Sequence, residues 1–176
     1  MNTIWGVLSI VAEFISVVLL VSLFVPGFRE NALVRFFANN AILVAFVVSG
    51  LAMAGSLTYS EVIGYSPCVL CWYQRILMYP QALLMGIALG RKDRSIKLYG
   101  LVMSIVGGVI AAYHYIGQLG GTPLPCSAVG VSVSCAQKFT LEFGYITIPM
   151  MAFSAFALIA TALAVSIVKD RSASAA

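Results

Sequence analysis

Five apolar stretches, near residues 4–25, 41–60, 69–90, 98–117 and 146–168, take up most of this 176-residue chain. Each approaches the ~20 residues a helix needs to cross the hydrocarbon core of a bilayer. Backbone amides in lipid have no water to bond with, so successive stretches of this length restrict the fold to a bundle of membrane helices. With 61% hydrophobic and 9% charged residues, an ordinary soluble domain is excluded. The longest connection, about 118–145, is rich in Gly, Pro and Ser and leaves no room for a separate soluble domain. The expected fold class is an all-α integral membrane protein.

A formal net charge of +4 raises the question of a nucleic-acid partner, but the distribution of the basic residues argues against one. Arg91, Lys92, Arg94 and Lys97 crowd one short connection, Arg29 and Arg35 another, and Lys169 and Arg171 the C-terminus. By the positive-inside rule these regions are cytoplasmic, whereas the 61–67 connection has no Lys or Arg. The N-terminus and the 61–67 and 118–145 connections then fall outside, with Lys138 the one basic exception and the C-terminus inside. The first stretch lacks a preceding Lys or Arg, and Val25-Pro26-Gly27-Phe28 is no small-residue cleavage site, so it reads as a retained span. Its Glu13 is either a functional group within the membrane or, the plainer reading, a carboxyl hydrogen-bonded to a neighbouring helix.

On this topology all four cysteines face the oxidising side: Cys68 and Cys71 at the mouth of the 69–90 helix, Cys126 and Cys135 in the next outward connection. A CxxC places two sulfurs one helical turn apart, and a helix start favours the thiolate. Arg75 follows Cys68 and Cys71 at helical spacing and shares their face, with Gln74 beside it. Its guanidinium can donate to a ligand carbonyl and stabilise negative charge, or snorkel as an interfacial anchor. Pro80 is expected to bend or locally open this helix. His114, the only histidine, stands between Tyr113 and Tyr115, either donating to a bound redox partner or lying in an aromatic belt. Trp72, Tyr73 and Tyr79 read mainly as belt and packing, with one ring open to line a ligand pocket, and Glu142, just before the last helix, as a helix-start charge.

Three chemistries suit four such cysteines. Dithiol–disulfide exchange uses both pairs. Static disulfides in a non-enzymatic scaffold explain Cys126–Cys135 well, but Cys68–Cys71 poorly, because so small a ring restrains little chain entropy. A zinc site is disfavoured because eight residues separate Cys126 from Cys135 instead of the short CxxC knuckle being repeated.

The run Pro67-Cys68-Val69-Leu70-Cys71-Trp72-Tyr73-Gln74-Arg75, the outer cysteine pair and Phe143-Gly144-Tyr145-Ile146-Thr147-Ile148-Pro149 together resemble the DsbB family of disulfide-bond formation proteins, most closely its short-loop BdbC type. Vitamin K epoxide reductase relatives are similar in logic, but their loop cysteines precede the CxxC. The resemblance implies a four-helix redox bundle over residues 40–168, a cytoplasmic tail at 169–176, and an extra N-terminal membrane helix with its cytoplasmic connection at 1–39. That extra helix has no counterpart in the family core, and the loop pair is closer in sequence than in the enterobacterial type. The resemblance also implies an oxidoreductase of the bacterial cytoplasmic (inner) membrane, passing electrons from a soluble DsbA-like thioredoxin-fold oxidase to ubiquinone or menaquinone, with no metal. Cys126 would meet the partner's thiolate, with Cys135 as the other half of the exchanging loop pair. Cys68 would exchange with that pair, Cys71 would meet the quinone, and Arg75 would contact it. His114 lies in a region where the family carries a histidine, and is the further quinone-binding candidate.

Overall fold

The computed structural model describes residues 2–120 and 135–174, so Cys126 falls outside it. Among the described residues the main elements are α1 (Asn2–Phe24), a 3-10 turn (Pro26–Glu30), α2 (Ala32–Asn39), α3 (Ala41–Leu57) continued by a π turn (Thr58–Val62), α4 (Val69–Arg91), α5 (Ile96–Gln118) and α6 (Ile148–Ser174). Four of these, α1, α3 with its π turn, α5 and α6, are long and apolar enough to cross a membrane. The fifth stretch expected to cross, α4, is as long as α1 and α5 but carries Gln74, Arg75 and Gln81, which make it less apolar. It lies between α3 and α5 and runs unbroken through Pro80.

Helices α3, α4, α5 and α6 pack in cyclic order, each against the next, and α1 lies against the outside of α6. The core is centred on Phe156, Ile159 and Leu163 of α6, which are fully buried with Met85 of α4 and Leu19 of α1. Small residues permit this close approach, as is usual where helices associate in lipid. A Cβ built on Gly107 of α5 would stand 2.3 Å from the Phe156 ring. Phe156 is fully buried, so either its ring or α5 must shift, and Gly107→Ala is expected to cost about 1–3 kcal/mol through overpacking. Thermal unfolding in detergent measures this as a lowered Tm, whereas an unchanged Tm would mean that α5 and α6 are less tightly joined.

Polar ties reinforce the packing. Ser104 of α5 donates to Gln81 Oε1 of α4 at 2.9 Å, and both side chains are buried. At the end of the bundle away from the CxxC, Lys97 Nζ donates to Asp170 Oδ2 at 2.6 Å, joining the start of α5 to the end of α6. The short helix α2, not foreseen as a separate element, begins at Asn31, whose side chain accepts from the Leu33 amide at 3.0 Å. This satisfies one of the amides left open at a helix start.

Glu142 does not open the last helix as the sequence suggested. It forms an isolated antiparallel bridge with Ile146 across a tight turn, and α6 begins only at Ile148. Phe143 (φ 52°) and Gly144 (φ 80°) both adopt left-handed backbone there, a conformation glycine tolerates without strain.

Candidate redox site

Cys68 is the N-cap of α4, and its carbonyl accepts the first helical bond, from the Trp72 amide, at 3.1 Å. Cys71 is one turn further on, and the two sulfurs are 3.2 Å apart as free thiols. Helical geometry thus turns a four-residue motif into a sulfur pair at a helix N-terminus. The hydrogen bond with Cys71, aided by His114 and opposed by burial, holds the Cys68 thiol well below its ordinary range.

Cys135 is 2% exposed and packs in one cluster with Cys68 and Leu70. It is disulfide-bonded, unlike Cys68 and Cys71. Two side chains of α5 hold this end of the connection down. His114 Nε2 lies 3.0 Å from the Cys135 carbonyl, while Gln118 Nε2 donates to the Gln137 carbonyl at 3.1 Å. Gln74 Nε2 faces His114 Nδ1 at 3.2 Å, so Nδ1 accepts and Nε2 carries the hydrogen. That Nε2–H then points toward the Cys135 carbonyl, with Cys68 Sγ 3.7 Å away. At 1% exposure the imidazole is no part of an interfacial belt.

The ligating atoms of Cys68, His114 and Cys135 all lie within 4.8 Å of one another. Such a cluster could suit a metal, but a disulfide-bonded sulfur is not the thiolate that binds one strongly. The same closeness is what exchange requires, since a thiolate must reach a sulfur of the other disulfide.

Cys71 faces a different environment. It lines a cavity of about 300 Å³, together with Gln74, Arg75, Met78 and Tyr79 of its own helix and residues of α1, α3 and α6. The lining is overwhelmingly apolar, with a few polar groups near Cys71, the usual composition of a site for an organic ligand. Arg75 Nε donates to Ser56 Oγ at 3.0 Å and Nη2 to the Ser56 carbonyl at 3.1 Å. These two bonds leave three of the five guanidinium hydrogens uncommitted to Ser56. The guanidinium also lies 5.4 Å from the Trp72 ring centre and 6.0 Å from that of Tyr79. Tyr79 Oη is buried without a hydrogen-bond partner among the described residues. An unpaired buried hydroxyl is costly, and its place on this cavity fits a ligand bearing a carbonyl acceptor.

The structure therefore brings Cys68, His114 and Cys135 together, while Cys71, which borders that cluster too, is the one cysteine among the described residues that also reaches the larger cavity with Arg75. His114 is not on the wall of the larger cavity; it borders a small one beside Cys68, Cys71, Gln118 and Cys135. Ser56, 19 residues before Arg75, belongs to the spaced Gly and Ser of 50–56, which the sequence marks only as close helix-packing positions and not as a partner of Arg75. Glu13 accepts from Tyr145 Oη at 3.0 Å and Ser154 Oγ at 2.8 Å, matching its plainer reading.

The family model for disulfide bond formation protein DsbB matches residues 38–166. A probable disulfide formation protein of Oceanobacillus iheyensis is 47% identical over 129 residues, covering 69% of this chain and 85% of the relative. Disulfide bond formation protein C of Bacillus subtilis is 43% identical over 122 residues, covering 67% and 86%. A probable disulfide formation protein of Chlamydia caviae is 37% identical over 135 residues, covering 76% and 96%. No solved structure is significantly similar.

Proposed function

The chain belongs to the DsbB family of disulfide bond formation proteins, and from that premise we propose that it reoxidises a soluble thioredoxin-fold dithiol oxidase outside the cytoplasmic membrane and passes the electron pair to a membrane quinone. The observation that carries the proposal is the division of the CxxC, with Cys68 against Cys135 and Cys71 on the apolar cavity with Arg75 and Tyr79. Basic residues gather at the opposite end, as a cytoplasmic face would require.

In this reading the partner's thiolate attacks Cys126 of the loop disulfide and releases Cys135. The partner's second thiol resolves the mixed disulfide, so the partner leaves oxidised and the loop keeps two thiols. Cys135 then attacks Cys68 of the Cys68–Cys71 disulfide and expels Cys71 as a thiolate. Cys126 attacks Cys135 in turn and expels Cys68, returning the loop to its disulfide and leaving a dithiol at the CxxC. The lowered pKa of Cys68 helps the last step, because a more acidic thiol leaves faster. Free thiols at Cys68 and Cys71 with a disulfide at Cys135 are the bonding state that these steps would leave, which supports the reading.

A bound quinone supplies an acceptor for the two electrons and two protons of that dithiol, whose oxidation restores the Cys68–Cys71 disulfide. Arg75 and Tyr79 offer N–H and O–H donors for the two-electron acceptor's carbonyls, and the apolar walls keep water away from Cys71. His114 orients the loop sulfur toward Cys68 by holding the Cys135 carbonyl.

Arg75→Ala tests the cavity's part in this scheme. The quinone KM should rise about tenfold, the loss typical of a charge-assisted hydrogen bond. The KM for the dithiol partner should stay constant, since that partner docks on the other side of the CxxC. An unchanged quinone KM would reduce Arg75 to an anchor for α3.

A further inference from the structure

Helix α1 precedes residues 38–166, which the family model matches, yet it forms one wall of the cavity that Cys71 and Arg75 face. We propose that α1 is part of the quinone site, covering the opening between α3 and α6, and that Trp5 is its specificity-determining residue. This inference rests on the quinone reading given above.

The wall consists of Trp5, Leu8, Ser9, Val11, Ala12 and Ile15. Polar and close-packed contacts fix it on both sides of the opening. Toward α3, Tyr59 Oη donates to Asn2 Oδ1 at 3.1 Å, and the Trp5 indole lies so close to Gly55 that a Cβ there would be 3.2 Å from the ring. Toward α6, Glu13 accepts from the hydroxyls of Ser154 and Tyr145. Just before α6, the Phe143 ring lies 3.0 Å from where a Cβ on Gly6 would be. Hydrogen bonds between helices are retained in lipid because their broken partners find no water. A helix needed only to anchor the chain would not require ties to two neighbours.

The two faces of α1 differ accordingly. Gly6, Ser9, Ser16 and Leu19 are buried, while Ile4, Phe14, Val17 and Phe24 are exposed at 59–78% where lipid would lie. Trp5 also has a particular neighbour. Its ring covers Gly55, and the next residue, Ser56, holds Arg75 through two hydrogen bonds. The indole thus sets the width of the cavity close to the guanidinium that would meet a quinone carbonyl. Removing it should loosen the fit of a single-ring benzoquinone more than that of a wider naphthoquinone.

The test uses the full chain in nanodiscs and two binding readouts independent of turnover. An azidobenzoquinone is photolysed with the unaltered protein and the labelled residues are mapped by mass spectrometry. Quinone affinity is read from the ligand-induced rise in Tm, for short-tailed benzoquinone and naphthoquinone. The expected result is label within residues 5–15 and a Trp5→Ala variant that binds benzoquinone about fivefold more weakly, the scale of one aromatic contact, with a smaller loss for naphthoquinone. Trp5→Phe should recover much of the loss, and Phe14→Ala, on the lipid side, should change neither affinity. Label confined to α3, α4 and α6, with affinities unchanged in Trp5→Ala but reduced in Arg75→Ala, would overturn the role of α1 and leave the quinone reading standing. Absence of quinone binding by the unaltered protein in both readouts would overturn both.

Discussion

Replacing Cys71 with serine will reduce quinone-linked oxidation of a dithiol protein to background, a loss on the order of a thousandfold or more, as when a covalent nucleophile is removed. Two features set this magnitude. A serine hydroxyl cannot form the disulfide that stores the electron vacancy, and Cys71 is the sulfur that lines the larger cavity. Cys68 cannot take over, because it lies with Cys135 and His114 away from that cavity. Stability should change little, since serine is close in size to cysteine and the free thiols at this pair carry no crosslink. Measuring the rate together with Tm separates chemistry from folding. A variant with normal Tm and near-normal turnover would contradict the role of Cys71.

Cys135→Ser will give a comparable loss of partner oxidation but a different residue of activity. The loop disulfide cannot form, so electrons from a protein partner have no route to Cys68. A small dithiol able to reach the CxxC directly should still reduce Cys68–Cys71, and quinone should still reoxidise it. Partner turnover is expected to fall on the order of a thousandfold, while small-dithiol turnover stays within about threefold of normal. The division follows from geometry: Cys135 touches Cys68, whereas the cavity wall is built from other residues. If both activities vanished together in a folded protein, the pairs would not act in series. If partner oxidation persisted, a static role for the loop disulfide would be favoured.

The hydrophobic stretches displayed most of the fold, because burying twenty or so apolar residues in lipid leaves little alternative to a helix. The ends of α3, α4 and α5 fall within a few residues of the apolar stretches. Glu142 was misplaced for a local reason: the Phe143–Gly144 turn interposes before α6, and a left-handed turn leaves little trace in hydropathy. Cys68, Cys71 and Arg75 were readable as one face from spacings of three and four, since that geometry lies within a single helix. The surroundings of these residues were not. Ser56 meets Arg75 only because α3 packs on α4, and the same packing decides that of Trp72, Tyr73 and Tyr79 it is Tyr79 that lines the cavity, with its hydroxyl unpaired among the described residues. His114 was open between two readings because neither depth nor neighbours in sequence reveal that Cys68 and Cys135 close around it. The place of α1 on the cavity is likewise a product of tertiary packing, beyond the reach of any motif.

The central claim is that oxidation of a protein dithiol here is coupled to quinone reduction. The most direct measurement places the purified chain in nanodiscs without oxygen, adds a reduced thioredoxin-fold dithiol protein and a quinone, and follows quinone absorbance and partner thiols together. The account predicts one quinone reduced for every two thiols lost, with both signals absent in Cys71→Ser. Thiols that disappear without quinone reduction, or four cysteines that stay unchanged in the presence of both reactants, would contradict it.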